Sequence, residues 1–388
     1  MTPLFERRNT SYAYYLVFIS LGLFGGVLGP SLDVFKERSG SSNARIAILF
    51  LVSSVGYMTG GALTGRLYDR RPGHPIVAAA LVMAAVMVAA LTKASALVAL
   101  GTLMLLMGLA TSAVDTGGNT LIAWLHGDEL GPWMIALHAA FGVGSAMAAL
   151  VLAVSRRATD GINAGLLVIA AVAIAASVVV IRRPSPTHLH EERLGDGIAK
   201  PKPSRLALVV TSSFFFLYVG LEIGFAGWVY TFARDRGFST TSASLLTSVF
   251  WWSFTAGRVL GIPIARFLNA RNQIFLDAVV TAIGALILVA SRNSASLLWV
   301  GTVVLGLGLA TMFPATLNIA NERVAVTGSV TSWFITASGA GGAVMPWLLG
   351  RLFDDRGSKI LPWFVLVVTV AVVMAATTAA RLLERSVR

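Results

Sequence analysis

The chain has 388 residues, 56% hydrophobic and only 12% charged; a water-soluble domain carries about 25% charged residues, so a soluble enzyme and a disordered chain are both excluded. The formal charge of +12 comes from lysines and arginines scattered over short loops, with no basic stripe among aromatics. That pattern fits topology and lipid headgroups rather than nucleic acid, and the absence of cysteine excludes disulfides, thiolate metal sites and a cysteine nucleophile.

Twelve stretches reach the length of about 20 mostly apolar residues that a membrane helix needs. They are 12–33, 45–65, 75–92, 96–123, 132–154, 162–181, 206–232, 241–264, 273–291, 296–320, 327–350 and 360–381. The first is too long for a signal peptide and lacks a small-residue cleavage site. An even count puts both termini on one side. Loops on that side carry more Lys and Arg, which marks it as the cytoplasm. The one long polar segment, RRPSPTHLHEERLGDGIAKPKPSR at 182–205, is rich in proline and charge and has no apolar period. It reads as a cytoplasmic linker. The expected organisation is a six-helix bundle at 1–182, a linker at 183–205 and a second six-helix bundle at 206–388. His188, His190, Glu191 and Glu192 in the linker read as solvated side chains, because nothing fixes a metal geometry there.

The two halves repeat. Residues 101–111 read GTLMLLMGLAT and residues 301–311 read GTVVLGLGLAT, with seven of eleven positions identical at an offset of 200. The same offset aligns RLYDRR at 66–71 with RFLNAR at 266–271, and Gly142 with Gly342. A parallel repeat of six helices predicts two pseudo-symmetric bundles, the arrangement that supports alternating access. A weaker echo of Gly65–Arg70 at Gly350–Asp355 fits inverted three-helix repeats inside each half.

Charge at mid-bilayer costs roughly 2.5–3.5 kcal/mol on insertion scales, so the few polar residues inside these spans are informative. In chain order, Asp115 and Asn119 come first, at i and i+4 on one face of the fourth span. Their hard oxygens suit Na+ as well as a proton. Gly117 and Gly118 between them allow the backbone to bend or a ligand to approach. His138 in the fifth span pairs with Asp115 as a candidate proton relay. Glu222 lies mid-way along the seventh span, with Tyr218 one turn earlier, inside a glycine-rich segment at 220–227 that is expected to unwind. Trp228 joins Glu222 only if that helix is broken. The blander alternative for each is a hydrogen bond that braces two helices. Arg258 in the eighth span reads as a snorkelling or bracing residue. Asn318 and Asn321 end the tenth span, and Glu322 with Arg323 reads as a loop pair.

The segment GRLYDRRPG at 65–73 resembles the loop motif of the major facilitator superfamily, with one extra residue before the glycine. Six further segments resemble one branch of it, the sodium-dependent glucose transporter group related to fucose permeases. They are GPSLDVF (29–35), DTGGNTLIAWLHG (115–127), GPWMIALHAAFGVG (131–144), FFFLYVGLEIGFAGW (214–228), SVFWWSFTAGR (248–258) and MFPATLNIANE (312–322). Two positions depart from that branch: Ile135 stands where a glutamine is usual, and GAGGAVMP (339–346) lacks an acidic residue.

The resemblance implies an all-α integral membrane protein with the major facilitator fold, a sugar substrate and Na+ or H+ as coupling ion, with no other cofactor. From the polar residues inside the spans, cation coupling is expected at Asp115, Asn119 and Glu222. Sugar contacts are then expected from His138, Tyr218, Trp228, Trp252, Asn318 and Asn321, through amide donors and acceptors for vicinal hydroxyls and aromatic faces for C–H surfaces. Asp69, Arg70 and Arg71 read as a gate at the inner mouth. A monomer in a bacterial-type inner membrane, with both termini cytoplasmic, is expected. The alternative is a proton-coupled exporter of amphipathic drugs or lipids. A membrane-embedded enzyme is disfavoured by the lack of HExxH, GxSxG or clustered histidines, and a channel by the low polar content.

Overall fold

A computed structural model of the chain describes residues 4–68, 70–126, 130–186, 203–264, 267–324 and 328–385. Among these residues every regular element is helical. In chain order the α-helices are α1 (Leu4–Ser39), α2 (Asn43–Ile46), α3 (Ile48–Tyr68), α4 (Gly73–Ala90), α5 (Leu97–His126), α6 (Leu130–Thr159) and α7 (Asn163–Ile181). They continue as α8 (Arg205–Asp235), α9 (Thr240–Ile264), α10 (Ala270–Ala290), α11 (Ala295–Leu309), α12 (Met312–Arg323), α13 (Gly328–Arg356) and α14 (Leu361–Arg385).

Eleven helical stretches among the described residues are long and apolar enough to cross a membrane, with α11 and α12 forming one of them, Ala295–Ala320. Helix α13 is 29 residues long, a length that suits a twelfth crossing, but its glycines, serines and tryptophans leave it less apolar. Helical backbone is what lipid demands, because each unpaired N–H or C=O there costs several kcal/mol. The outward faces carry large apolar side chains such as Val98, Leu63, Val154 and Val367, as a lipid-facing surface requires.

The chain divides into two compact units. One comprises Met1–His190 with Ala233–Ser248, and the other Glu191–Phe232 with Val249–Arg388.

Within the first unit, α3 packs along α5 and α1 along α6. Both pairs touch backbone to backbone. A Cβ on Gly56 would overlap the Leu105 carbonyl of α5, and one on Gly108 would overlap the Ser53 carbonyl of α3. Gly22 and Gly144 play the same reciprocal parts for α1 and α6. Small residues replace the hydrophobic effect as the packing device here, since lipid is as apolar as the helices themselves. At one end of this unit Arg156 of α6 holds Asp33 of α1 through both nitrogens, 3.0 and 2.7 Å, and donates to the Pro30 carbonyl at 2.6 Å. At the start of α4, His74 is 1% exposed. Its Nδ1 lies 2.9 Å from the Arg183 carbonyl and its Nε2 2.7 Å from the Tyr14 hydroxyl. The carbonyl can only accept, so Nδ1 carries the proton and Tyr14 donates.

Three expectations are corrected. The glycine-rich segment of α8 does not unwind: α8 is continuous from Arg205 to Asp235. Its glycines instead admit a neighbour, since a Cβ on Gly220 would meet Met345 and the Gly341 carbonyl of α13. Helix α5 is likewise unbroken at Gly117 and Gly118, whose missing side chains make room for Tyr68 and Phe18 and not for a ligand. The single helix expected over 296–320 is in turn divided at Ala310–Thr311. Pro314 explains the division: it lacks an N–H, and its ring clashes with the carbonyl four residues earlier, that of Ala310.

Candidate functional site

In the first unit the site forms around Asp115. Asn119, one turn on, donates its side-chain N–H to Asp115 Oδ1 at 2.8 Å and to the Asp115 carbonyl at 2.9 Å. From α3, the Tyr57 hydroxyl donates to Asp115 Oδ2. Tyr57 reaches the carboxylate because it follows Gly56, at which the α3 and α5 backbones meet. Both carboxylate oxygens thus have a donor, which answers the cost of placing this acid in a spanning helix. The remaining lone pairs on Asp115, the Tyr57 oxygen and the Asn119 amide oxygen form a set of hard oxygens. A small cation entering between Asp115 and Asn119 would require the amide to rotate, because its NH2 end now faces the carboxylate. Among the described residues no three His, Asp or Glu side chains converge as a metal site.

His138 is half-buried, with its ring edge-on to Phe18 at 5.8 Å between centroids. The hydrogen bonds on the Asp115 side chain come from Tyr57 and Asn119. Arg70 and Arg71 are exposed after the end of α3. Asp69, the third member of the expected gate, lies outside the described residues.

In the second unit, Glu222 is 8% exposed on α8. Tyr218, one turn away, is fully buried and donates its hydroxyl to the Leu309 carbonyl at 2.6 Å. Arg258 of α9 lies over the Phe254 ring at 4.4 Å and donates through Nε to the Ala310 carbonyl at 3.4 Å. These two side chains therefore serve the carbonyls left open where α11 ends, one of them opened by Pro314. Thr311, at the break, donates to Asp277 Oδ2 of α10 at 2.6 Å. The Tyr218 hydroxyl interacts electrostatically with Glu222, Arg258 and Asp277, and Glu222 interacts with Arg258. Glu222 and Tyr218 stand out in the sequence, whereas Arg258 reads there only as a brace and Asp277, which lacks a flanking motif, is missed.

The other expected sugar contacts are spread along the unit. Trp228 has no exposed surface; its indole N–H donates to the Pro346 carbonyl at 2.8 Å and its ring packs on Phe353 at 4.7 Å. It fills the α8–α13 interface and offers no open face. Trp252 is 41% exposed, while its neighbour Trp251 is buried against Phe250 and Phe254. Asn318 is exposed on α12. The side chain of Asn321 lies outside the described residues.

The chain is similar over most of its length to membrane transporters. The Major Facilitator Superfamily model matches residues 14–346. The sodium-dependent glucose transporter 1A of Mus musculus is 25% identical over 374 residues, covering 87% of this chain and 88% of that protein. The sodium-dependent glucose transporter 1 of Xenopus laevis is 26% identical over 354 residues, covering 84% and 72%. Among solved structures, the nucleoside transporter NupG aligns with a TM-score of 0.76 at 15% identity, covering 96% of this chain and 99% of that one. A bacterial homologue of the human lysosomal transporter Spinster aligns with a TM-score of 0.70 at 15% identity, covering 98% and 96%. With its all-helical architecture and its apolar spans, the chain belongs to the Major Facilitator Superfamily and is an integral, multi-pass membrane transporter, not an enzyme.

Proposed function

We propose that this transporter moves a hexose such as glucose by symport with Na+ or H+. One observation carries the reading: a carboxylate inside a spanning helix, Asp115, is ringed by Tyr57 and Asn119 in a chain similar to sodium-dependent glucose transporters over 87% of its length. Asp115 and Asn119 take the cation, and Glu222 is the acid of the other half that responds to it. His138, Trp252, Asn318 and Asn321 contact the sugar, and Asp69, Arg70 and Arg71 form the cytoplasmic gate. Two six-helix halves joined by the 183–205 linker, a monomeric state, an inner-membrane location and cytoplasmic termini belong to the same proposal. Cation binding that favours the sugar-binding state links the two fluxes.

Uptake of labelled glucose into proteoliposomes, with Na+ and pH gradients imposed separately, tests it. Saturable uptake that accumulates with one of the two gradients is expected. Asp115→Asn should remove accumulation while leaving the folded yield intact. Absence of saturable sugar flux under every gradient, or wild-type accumulation by the variant, overturns the proposal.

A further inference from the structure

Asp277 is 7% exposed, sits inside a spanning helix, and has no part in the function proposed above. Its surroundings are built around a helix break. Helix α11 stops at Leu309 and α12 starts at Met312, so the first-turn N–H groups of α12 lack helical acceptors and carry partial positive charge. The boundary residue Thr311 makes no side-chain cap to α12; its hydroxyl is turned to Asp277 Oδ2 instead. On the other side of the break, the Leu309 and Ala310 carbonyls are held by Tyr218 and Arg258. The break is thus held by donors on its negative side and by an acid on its positive side.

Asp277 is buried within a spanning helix and accepts a hydrogen bond from Thr311. Low dielectric makes its ionised form costly, and one added proton removes that charge.

We propose that Asp277 is a second ion-linked site of the transporter, taking up and releasing one proton and, when ionised, fixing the α11–α12 break. The proton comes from water and forms an O–H bond at Oδ1, leaving Oδ2 as the acceptor of Thr311. The charge facing the start of α12 then disappears. The titratable group that interacts with Asp277 is Tyr218 on α8, which interacts in turn with Glu222 and with Arg258 on α9. Helix α12, which packs on α10, carries its charges, Glu322 and Arg323, only at its C-terminal end. Arg271 stands in the exposed first turn of its own helix. Helix α14, which packs on α10, carries its charges, Arg381, Glu384 and Arg385, only at its C-terminal end; α11 has none. The proposal rests on the reading of the chain as an ion-coupled transporter.

Hydrogen exchange of the purified full-length protein in nanodiscs, corrected for intrinsic rates, reads the break directly and needs no substrate. Between about pH 9 and pH 5 the amides of Phe313, Ala315 and Thr316 should lose protection by about tenfold, the scale of a charge–helix-terminus interaction. Asp277→Asn should exchange fast at every pH, with no step. Thr311→Ser keeps the hydroxyl donor and should keep the step. Glu222→Gln leaves Asp277 intact and should keep it too. A flat wild-type profile, a pH step that survives in Asp277→Asn, or a step that vanishes in Glu222→Gln overturns the assignment. Absence of sugar transport alone would sink the proposed function and leave this result standing, while a flat exchange profile would do the reverse.

Discussion

The hydroxyl of Tyr57 on α3 donates to the carboxylate of Asp115 on α5. A hydrogen bond to a charged group contributes about 1.5–3 kcal/mol, and here it also aims the carboxylate. Tyr57→Phe keeps the ring and deletes the donor. The cation concentration for half-maximal uptake should rise by about tenfold or more, with the folded yield unchanged, as measured by sugar uptake across a cation titration. An unchanged cation dependence would show that Tyr57 only packs.

Two glycines of α5 should respond in opposite ways. A Cβ on Gly108 has the Ser53 carbonyl in its place, whereas a Cβ on Gly101 meets nothing within 4 Å. Gly108→Val should cost about 1–3 kcal/mol from overpacking and, by pushing α3 away, should depress coupled uptake. Gly101→Ala should be neutral or stabilising by up to about 1 kcal/mol, because alanine is the better helix former. Thermal midpoints in detergent, read beside uptake, separate the two.

Trp228→Phe retains an aromatic ring against Phe353 but loses the N–H that the Pro346 carbonyl accepts. The expected cost is about 1 kcal/mol, or about 2–4 °C in the thermal midpoint, with the apparent affinity for sugar unchanged. A large affinity loss at constant midpoint would return Trp228 to the substrate.

Arg156→Lys keeps the charge and removes the fork that spans both oxygens of Asp33. The Asp33 side chain is 33% exposed, so the loss should be about 1 kcal/mol. It should shrink when Asp33→Asn is already present, which a double-mutant cycle of thermal midpoints measures.

The positions of the apolar spans were legible because apolar stretches of bilayer length leave few alternatives. Asp115 and Glu222 were legible because an acid in such a stretch needs a reason. The same rule applied equally to Asp277, and only its lack of a flanking motif let it pass. Tyr57 was not legible: a tyrosine in a span reads as packing, and its partner is set by which glycines bring two helices together. Glycines were the least legible residues. At 117, 118 and 220 the local sequence suggested flexibility, but their neighbours Phe18, Tyr68 and Met345 come from distant parts of the chain. The division of α11 from α12 had one visible cause, Pro314, while the side chains that close its open carbonyls are 91 and 52 residues away in sequence.

That separation has a direction. Tyr218, Arg258 and Asp277 all precede the break in the chain, so during N- to C-terminal synthesis they are made before the segment they complete. A nascent helix carrying two open carbonyls enters lipid at a penalty of several kcal/mol for each. Here the compensating side chains are already waiting in the bilayer when it emerges, which makes the biogenesis of this crossing dependent on the three that come before it.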